Sequence, residues 1–294
     1  MPVTRLFIVL VTSSCLLVSV NIAHAASLDL YAFSTQKHAK LQASLDQHFQ
    51  TKPISQYLKK NKLSITLVDI TDIRQPKIAH INGTKTFYAA SMSKLGILLA
   101  VFEEIQQGNI KFDDSIRSSL ENMIRHSSNV DATKMYDLVG VERIEEILRS
   151  DRYRFYDEAS GGGLWVGKPY GKNPAWKRDP IANVSHGASG LQVARFYYLL
   201  ERNELADSKQ CSVIKEILSD SAINHKFVKG LKMQRPKAKV YRKSGTWRNY
   251  HSDSALVERK DGRKYIAVAI AEAQEGGNLL EQIIVELDEI IDEY

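Results

Sequence analysis

Apolar and polar positions along this chain change period from helix to strand and back, and the order of those changes predicts the architecture. Within the segment from Leu28 to Phe49, the residues Leu41, Leu45 and Phe49 recur every four positions, which puts one apolar stripe on an otherwise polar helix. Two strand-like runs follow, from Ser64 to Ile70 and from Lys77 to Asn82, and the polar turn between them carries Pro76. They predict a hairpin. From Ser91 onward Leu95, Ile97, Leu98, Leu99, Val101, Phe102 and Ile105 are apolar almost all round a helix that ends at Gln106-Gln107-Gly108. Such a helix belongs at the centre of a domain.

A helical middle runs from about Asp113 to Ser150, and the Gly-, Pro- and Trp-rich stretch from Gly161 to Pro180 has no period and reads as a long ordered loop. Another helix, from about Leu191 to Asn203, precedes a polar connection. Three strands then return, from Lys239 to Ser244, Ser254 to Arg259 and Lys264 to Glu272, the last two joined by the turn Lys260-Asp261-Gly262-Arg263. The chain closes on a helix with Leu280, Ile283, Ile284, Leu287 and Ile291 on one face. Strands at both ends with helices between them imply an α/β protein of the α+β type: an antiparallel five-stranded sheet flanked by helices, plus an all-helical lobe. The sheet lobe takes residues of about 26–90 and 235–294 and the helical lobe about 91–234, with a ligand cleft expected between them.

Composition narrows the class. A chain of 294 residues, 44% hydrophobic and 25% charged, has the makeup of a globular domain with a large core, which excludes disorder and fibre. Residues 1–25 read as a secretory signal, with Arg5, an apolar run from Leu6 to Val20 and Ala23-His24-Ala25 before the cut. A secreted or periplasmic protein is therefore expected, with no stable membrane insertion once the signal is gone; a lipid on Cys15 is a weaker alternative. Signal removal leaves Cys211 as the sole cysteine, so stability must come from the core rather than a disulfide. The net charge of +6 suits anionic cell wall or anionic small molecules, and export argues against nucleic acid. A monomer is expected.

The chemistry begins at Ser91-Met92-Ser93-Lys94. A hydroxyl and an amine three residues apart lie on one face of a helical turn, and the amine can act as base once burial lowers its pKa. The same S-x-x-K spacing also occurs at Ser34–Lys37 and Ser212–Lys215, but only the middle pair opens an apolar helix. Ser127-Ser128-Asn129, within a helical stretch, and Lys243-Ser244-Gly245-Thr246, at the end of a strand, complete an ordered set.

These motifs, in this order, resemble the signature of serine β-lactamases and penicillin-binding proteins. From Leu41 to Ile291 the order of elements is most similar to the class A branch. The resemblance implies a β-lactamase/transpeptidase-like fold and a serine hydrolase that forms an acyl-enzyme on Ser91 with a β-lactam or a cell-wall peptide. It implies Lys94 as base, Ser127 as proton carrier to the leaving nitrogen, and Asn129 as holder of the substrate's side-chain amide. Lys243 and Ser244 would bind the substrate carboxylate, Gly245 would let substrate approach the strand, and the N–H groups of Ser91 and Thr246 would form the oxyanion hole. Arg248 and His251, just after that strand, are candidates to help bind the carboxylate.

Three departures matter. Ser128 replaces the aspartate of S-D-N, only 36 residues separate Ser91 from Ser127, and no E-x-x-L-N motif appears in the long loop. The cleft is thus expected to be open and deacylation slow, with Glu158 the first candidate for a deacylation base and Asp157 and Asp179 the others. A D-alanyl-D-alanine carboxypeptidase or related peptidase or esterase is the alternative enzyme, and an idle cell-wall binding protein the alternative outside enzymes. The segment from Gly162 to Lys168 imitates a phosphate-binding loop, but Pro169 stands where a metal-binding hydroxyl belongs. The histidines show no metal spacing, so neither metal nor cofactor is expected.

Overall fold

The stripe of Leu41, Leu45 and Phe49 becomes the buried face of helix α1 (Ala39–Gln50) in a computed structural model that describes Phe33 and residues 37–50, 54–172 and 174–293. The expected signal peptide and Cys15 lie outside the described residues. After a short helix, Ser55–Lys59, the hairpin forms as β1 (Leu63–Asp69) and β2 (Lys77–Ile81), with Asp69 opposite Lys77. Strand β3 (Thr86–Tyr88) leads into a 3-10 turn, Ala90–Ser93, and then α2 (Lys94–Gln106), whose residues Lys94 to Glu104 are all buried.

The helical middle divides into α3 (Asp114–Arg125), α4 (Asn129–Val139) and α5 (Val141–Arg149). Asp113 caps α3 by accepting from the Ile116 N–H, and Ser128 caps α4 through the Asp131 N–H. The long loop carries two-residue strand pieces at Gly162–Gly163 and Trp165–Val166, and β4 (His186–Ser189) pairs with both Trp165–Val166 and β3. Then come α6 (Gly190–Glu201), α7 (Ser208–Leu218) and α8 (Phe227–Gln234). The polar connection expected after Asn203 thus contains two helices, each held by a short stripe: Cys211, Ile214, Ile217 and Leu218 in α7, Phe227 and Leu231 in α8.

Strands β5 (Lys239–Trp247), β6 (Tyr250–Glu258) and β7 (Lys264–Glu272) and helix α9 (Gly276–Glu293) complete the chain. The five-stranded sheet is antiparallel in the order β2-β1-β7-β6-β5, so the two ends of the described chain share one sheet, as the pattern implied. One face packs on α1, α8 and α9 through Ile65, Leu67, Ala255, Val257, Tyr265 and Ala267. Each large apolar side chain buried there contributes about 1.5–3 kcal/mol. The other face meets α6: a Cβ on Gly190 would crowd the Thr66 and Ser64 hydroxyls, and the Tyr197 hydroxyl lies 3.1 Å from Ser254 Oγ.

Strand β5 is the edge that carries Lys243-Ser244-Gly245-Thr246. Beneath it Arg242 and Asp253 form a buried pair at 2.7 Å, and Arg242 also holds the Ile223 carbonyl and the Ser221 hydroxyl. An ion pair so enclosed survives only with its remaining donors satisfied. It locks the strand against the segment that precedes α8.

Candidate active site

Ser91 sits on the 3-10 turn that feeds α2 rather than in the first turn of the α-helix itself. Its neighbour Ala90 has φ 49°, a left-handed value that an alanine adopts at a cost. The turn is held against the sheet edge. Ser252 Oγ donates to the Ala89 carbonyl at 2.7 Å, and a Cβ on Gly245 would meet that carbonyl and lie 2.6 Å from Ser91 N. Only a glycine lets strand and nucleophile turn come this close.

Lys94, at the start of α2, is fully buried. Burial brings its amine from 10.5 down to about 7, and the negative charge of Asp131 opposes that shift. The amine donates to the Ser127 carbonyl at 2.7 Å, the Ser128 carbonyl at 3.1 Å and Asn129 Oδ1 at 2.9 Å. Ser127 Oγ lies 3.5 Å from it and 3.0 Å from Lys243 Nζ. One hydroxyl is therefore bracketed by two buried amines. Lys243 also donates to the Ser244 carbonyl at 2.7 Å; burial holds its pKa well below the usual lysine range, and the positive charges of Lys94 and Arg242 push the same way.

Ser127 and Ser128 lie in the break between α3 and α4, not within a helix as the pattern suggested. The break lets Ser127 adopt φ 56° and lets the Ser128 hydroxyl reach Asp131 Oδ2 at 2.6 Å. Among the described residues five non-glycine positions other than Asn and Asp have positive φ, and Ala90, Ser127 and Lys226 of these adjoin the site. Strained backbone gathers here.

A cleft of about 780 Å³ opens over Ser91 and is lined also by Asn129, Tyr170 and Thr246. The Tyr170 ring lies 4.5 Å from the Lys94 amine, and its hydroxyl donates to the Ala90 carbonyl at 3.2 Å. His186 packs 4.3 Å from that ring, and burial lowers its pKa to about 4, so it is neutral at pH 7. Ser244 is buried on β5, between Lys243 and Gly245.

Several expected residues stand elsewhere. Glu158 is exposed on its own 3-10 turn, pairs with Arg149 at 3.0 Å and does not line the cleft. Asp157 caps that turn through the Ala159 N–H and the Ser160 hydroxyl, while Asp179 is buried and accepts from the N–H groups of Ile181 and Ala182. Arg248 is exposed on the β5–β6 turn, its guanidinium 4.4 Å from the Trp247 ring. His251 packs against Gly276 at the start of α9 and does not line the cleft.

Tyr170 and Lys226 are among the residues at the site that were absent from the expectations. Tyr170 lies in the aperiodic loop, where no spacing marks it. Lys226, just before α8, is buried and donates to the Gly245 carbonyl at 2.6 Å, Thr246 Oγ1 at 2.8 Å and the Ser252 carbonyl at 3.1 Å. Burial lowers its pKa to about 8, Asp253 opposes, and the charge of Arg242 adds to the lowering. It braces the strand edge from behind.

A family model described as the beta-lactamase enzyme family matches residues 50–119 and 114–294. No curated protein matches the sequence significantly. Among solved structures, an acyl-enzyme complex of a PBP-A mutant with penicillin G superposes with a TM-score of 0.67 at 15% identity, covering 88% of this chain and 98% of that one. A class A β-lactamase from Bacteroides cellulosilyticus gives 0.64 at 14% identity over 86% and 99% of the two chains. The TLA-1 extended-spectrum β-lactamase gives 0.65 at 13% over 87% and 98%. At such identities the likeness is one of fold.

Proposed function

The chain belongs to the beta-lactamase enzyme family and is a serine hydrolase of that type, and from this premise we propose that β-lactams acylate Ser91 rapidly and leave it slowly. Neutral Lys94 takes the Ser91 proton as Oγ attacks the carbonyl carbon. The carbon–nitrogen bond then breaks, the leaving nitrogen takes the Ser127 proton, and Ser127 recovers one from Lys94. Lys243 holds Ser127 and, with Ser244, the substrate carboxylate; Asn129 holds the side-chain amide. The Ser91 and Thr246 N–H groups receive the oxyanion, a contribution that typically reaches ~10²–10³-fold.

One observation carries the slow second step: the Tyr170 ring stands over the Lys94 amine, and no carboxylate belongs to the described residues that line the cleft. Water attacking the acyl-enzyme finds no carboxylate base there, and the lack of a positioned base typically costs roughly 10²–10⁴-fold. A carboxypeptidase would meet the same obstacle, since it too must hydrolyse its acyl-enzyme. Export to the periplasm or the outside belongs to this proposal as well, supported by the sequence of residues 1–25. The test is intact-protein mass spectrometry during exposure to benzylpenicillin. The adduct should be the main species and should vanish in Ser91→Ala. Mostly free protein beside fast ring opening would overturn the slow step, and an adduct retained in Ser91→Ala would overturn the nucleophile.

A further inference from the structure

The cleft over Ser91 does not extend evenly to both sides of the nucleophile. Ser91, Asn129 and Thr246 line it, whereas Ser127 and Lys243 do not. The open volume therefore lies on the side that keeps the acyl group, away from the pair that meets the leaving nitrogen. Two kinds of surface build it. Tyr88, Trp247 and Tyr250 form an aromatic shelf, with ring centroids 5.2 Å apart for Tyr88 and Tyr250 and 6.1 Å for the nearly parallel Trp247 and Tyr250. Trp247 is 46% exposed and lines the cleft, with the Arg248 guanidinium 4.4 Å from its ring.

The long loop supplies the other surface. Lys168, Lys172 and Arg178 line the cleft, and no Asp or Glu does so among the described residues. Arg178 is exposed and donates to the neutral carbonyl of Asn183 at 3.0 Å. Lys172 is exposed and makes no hydrogen bond or ion pair among the described residues. A cleft whose charged lining has one sign attracts the opposite charge.

We propose that the preferred acyl donor is itself anionic: its acyl side chain carries a carboxylate beside a flat apolar group. The flat part rests on Tyr88, Trp247 and Tyr250, and the carboxylate faces Lys172 and Arg178. This rests on acylation of Ser91 as proposed above and names the class of acyl group that the site selects. The carboxylate in question is distinct from the one beside the leaving nitrogen, which belongs to Lys243 and Ser244.

Benzylpenicillin and carbenicillin test it, because the second is the first with one added carboxylate on the carbon that bears the phenyl ring. Second-order acylation constants are measured by intact mass for both, at low salt and at ~0.5 M salt, where exposed charge contacts are largely screened. Carbenicillin should acylate roughly tenfold faster at low salt, and most of that ratio should disappear at high salt. Lys172→Ala, which removes no hydrogen bond or ion pair among the described residues, should reduce the ratio, and Lys172→Ala with Arg178→Ala should bring it close to one. Equal constants in the unaltered protein, or a ratio unmoved by both substitutions and by salt, would overturn the proposal while leaving Ser91 acylation standing. Failure of both penicillins to label the protein would overturn the acylation reading and this one with it.

Discussion

Changing the charge beside Lys94 tests the base most directly. An ordinary lysine with a pKa of 10.5 is neutral in roughly three molecules per ten thousand at pH 7, whereas at about 7 it is neutral in roughly half, a gain of ~10³ in available base. Burial supplies this shift, Asp131 opposes it, and the three oxygens that accept from the amine favour the ammonium too. The second-order acylation constant for a fluorescent penicillin, followed by stopped flow from pH 5 to pH 10, should rise about tenfold per unit below the Lys94 pKa and level off above it. Asp131→Asn keeps an acceptor for the Ser128 hydroxyl and removes the charge that favours the ammonium, so its rising limb should move to lower pH. Lys94→Arg cannot lose its proton and should acylate at least ~10³-fold more slowly. A flat profile, or a limb that moves to higher pH in Asp131→Asn, would refute Lys94 as the base.

Three further substitutions bear on the frame around it. Lys243→Ala should weaken acylation most for donors with a carboxylate beside the scissile amide and less for neutral esters; matched rate constants check this, and equal losses would confine Lys243 to Ser127. Gly245→Ala places a methyl group against the Ala89 carbonyl and Ser91 N, so acylation should fall on the order of 10²-fold through misplacement of the nucleophile, with a lower Tm by calorimetry. Asp253→Ala leaves Arg242 buried without its acid and should cost about 3–5 kcal/mol by urea unfolding.

The strands of the sheet and the central helix were legible because each depends on spacing within one segment, and the same local spacing places Ser91 and Lys94 on adjoining turns. The break before α4 also had a local mark: Ser128 followed three residues later by Asp131 is an N-cap pattern, and it places Ser127 outside the helix. His251 illustrates a different failure. His251 is paired with Thr246, which lines the cleft, yet its own ring packs against Gly276 at the start of α9. Register arithmetic on the sequence does not exclude it; the packing of α9 does. No such arithmetic finds Tyr170 or Lys226, which lie in irregular segments and reach the site only through the tertiary fold.

The missing carboxylate and the buried base are linked. Lys94, Lys243 and Lys226 are all depressed by burial, and positive neighbours add to the lowering at Lys243 and Lys226. The acid that balances this charge, Asp253, lies behind the strand, paired with Arg242 and away from the cleft. An acid in the position of Tyr170 would stand against the Lys94 amine, stabilise its ammonium and raise its pKa, so that fewer molecules would hold the base needed for attack by Ser91. The neutral ring over the amine keeps that base available and offers water no carboxylate. The fast acylation and slow release proposed above would then share one electrostatic cause, an aromatic ring rather than a carboxylate beside the Lys94 amine.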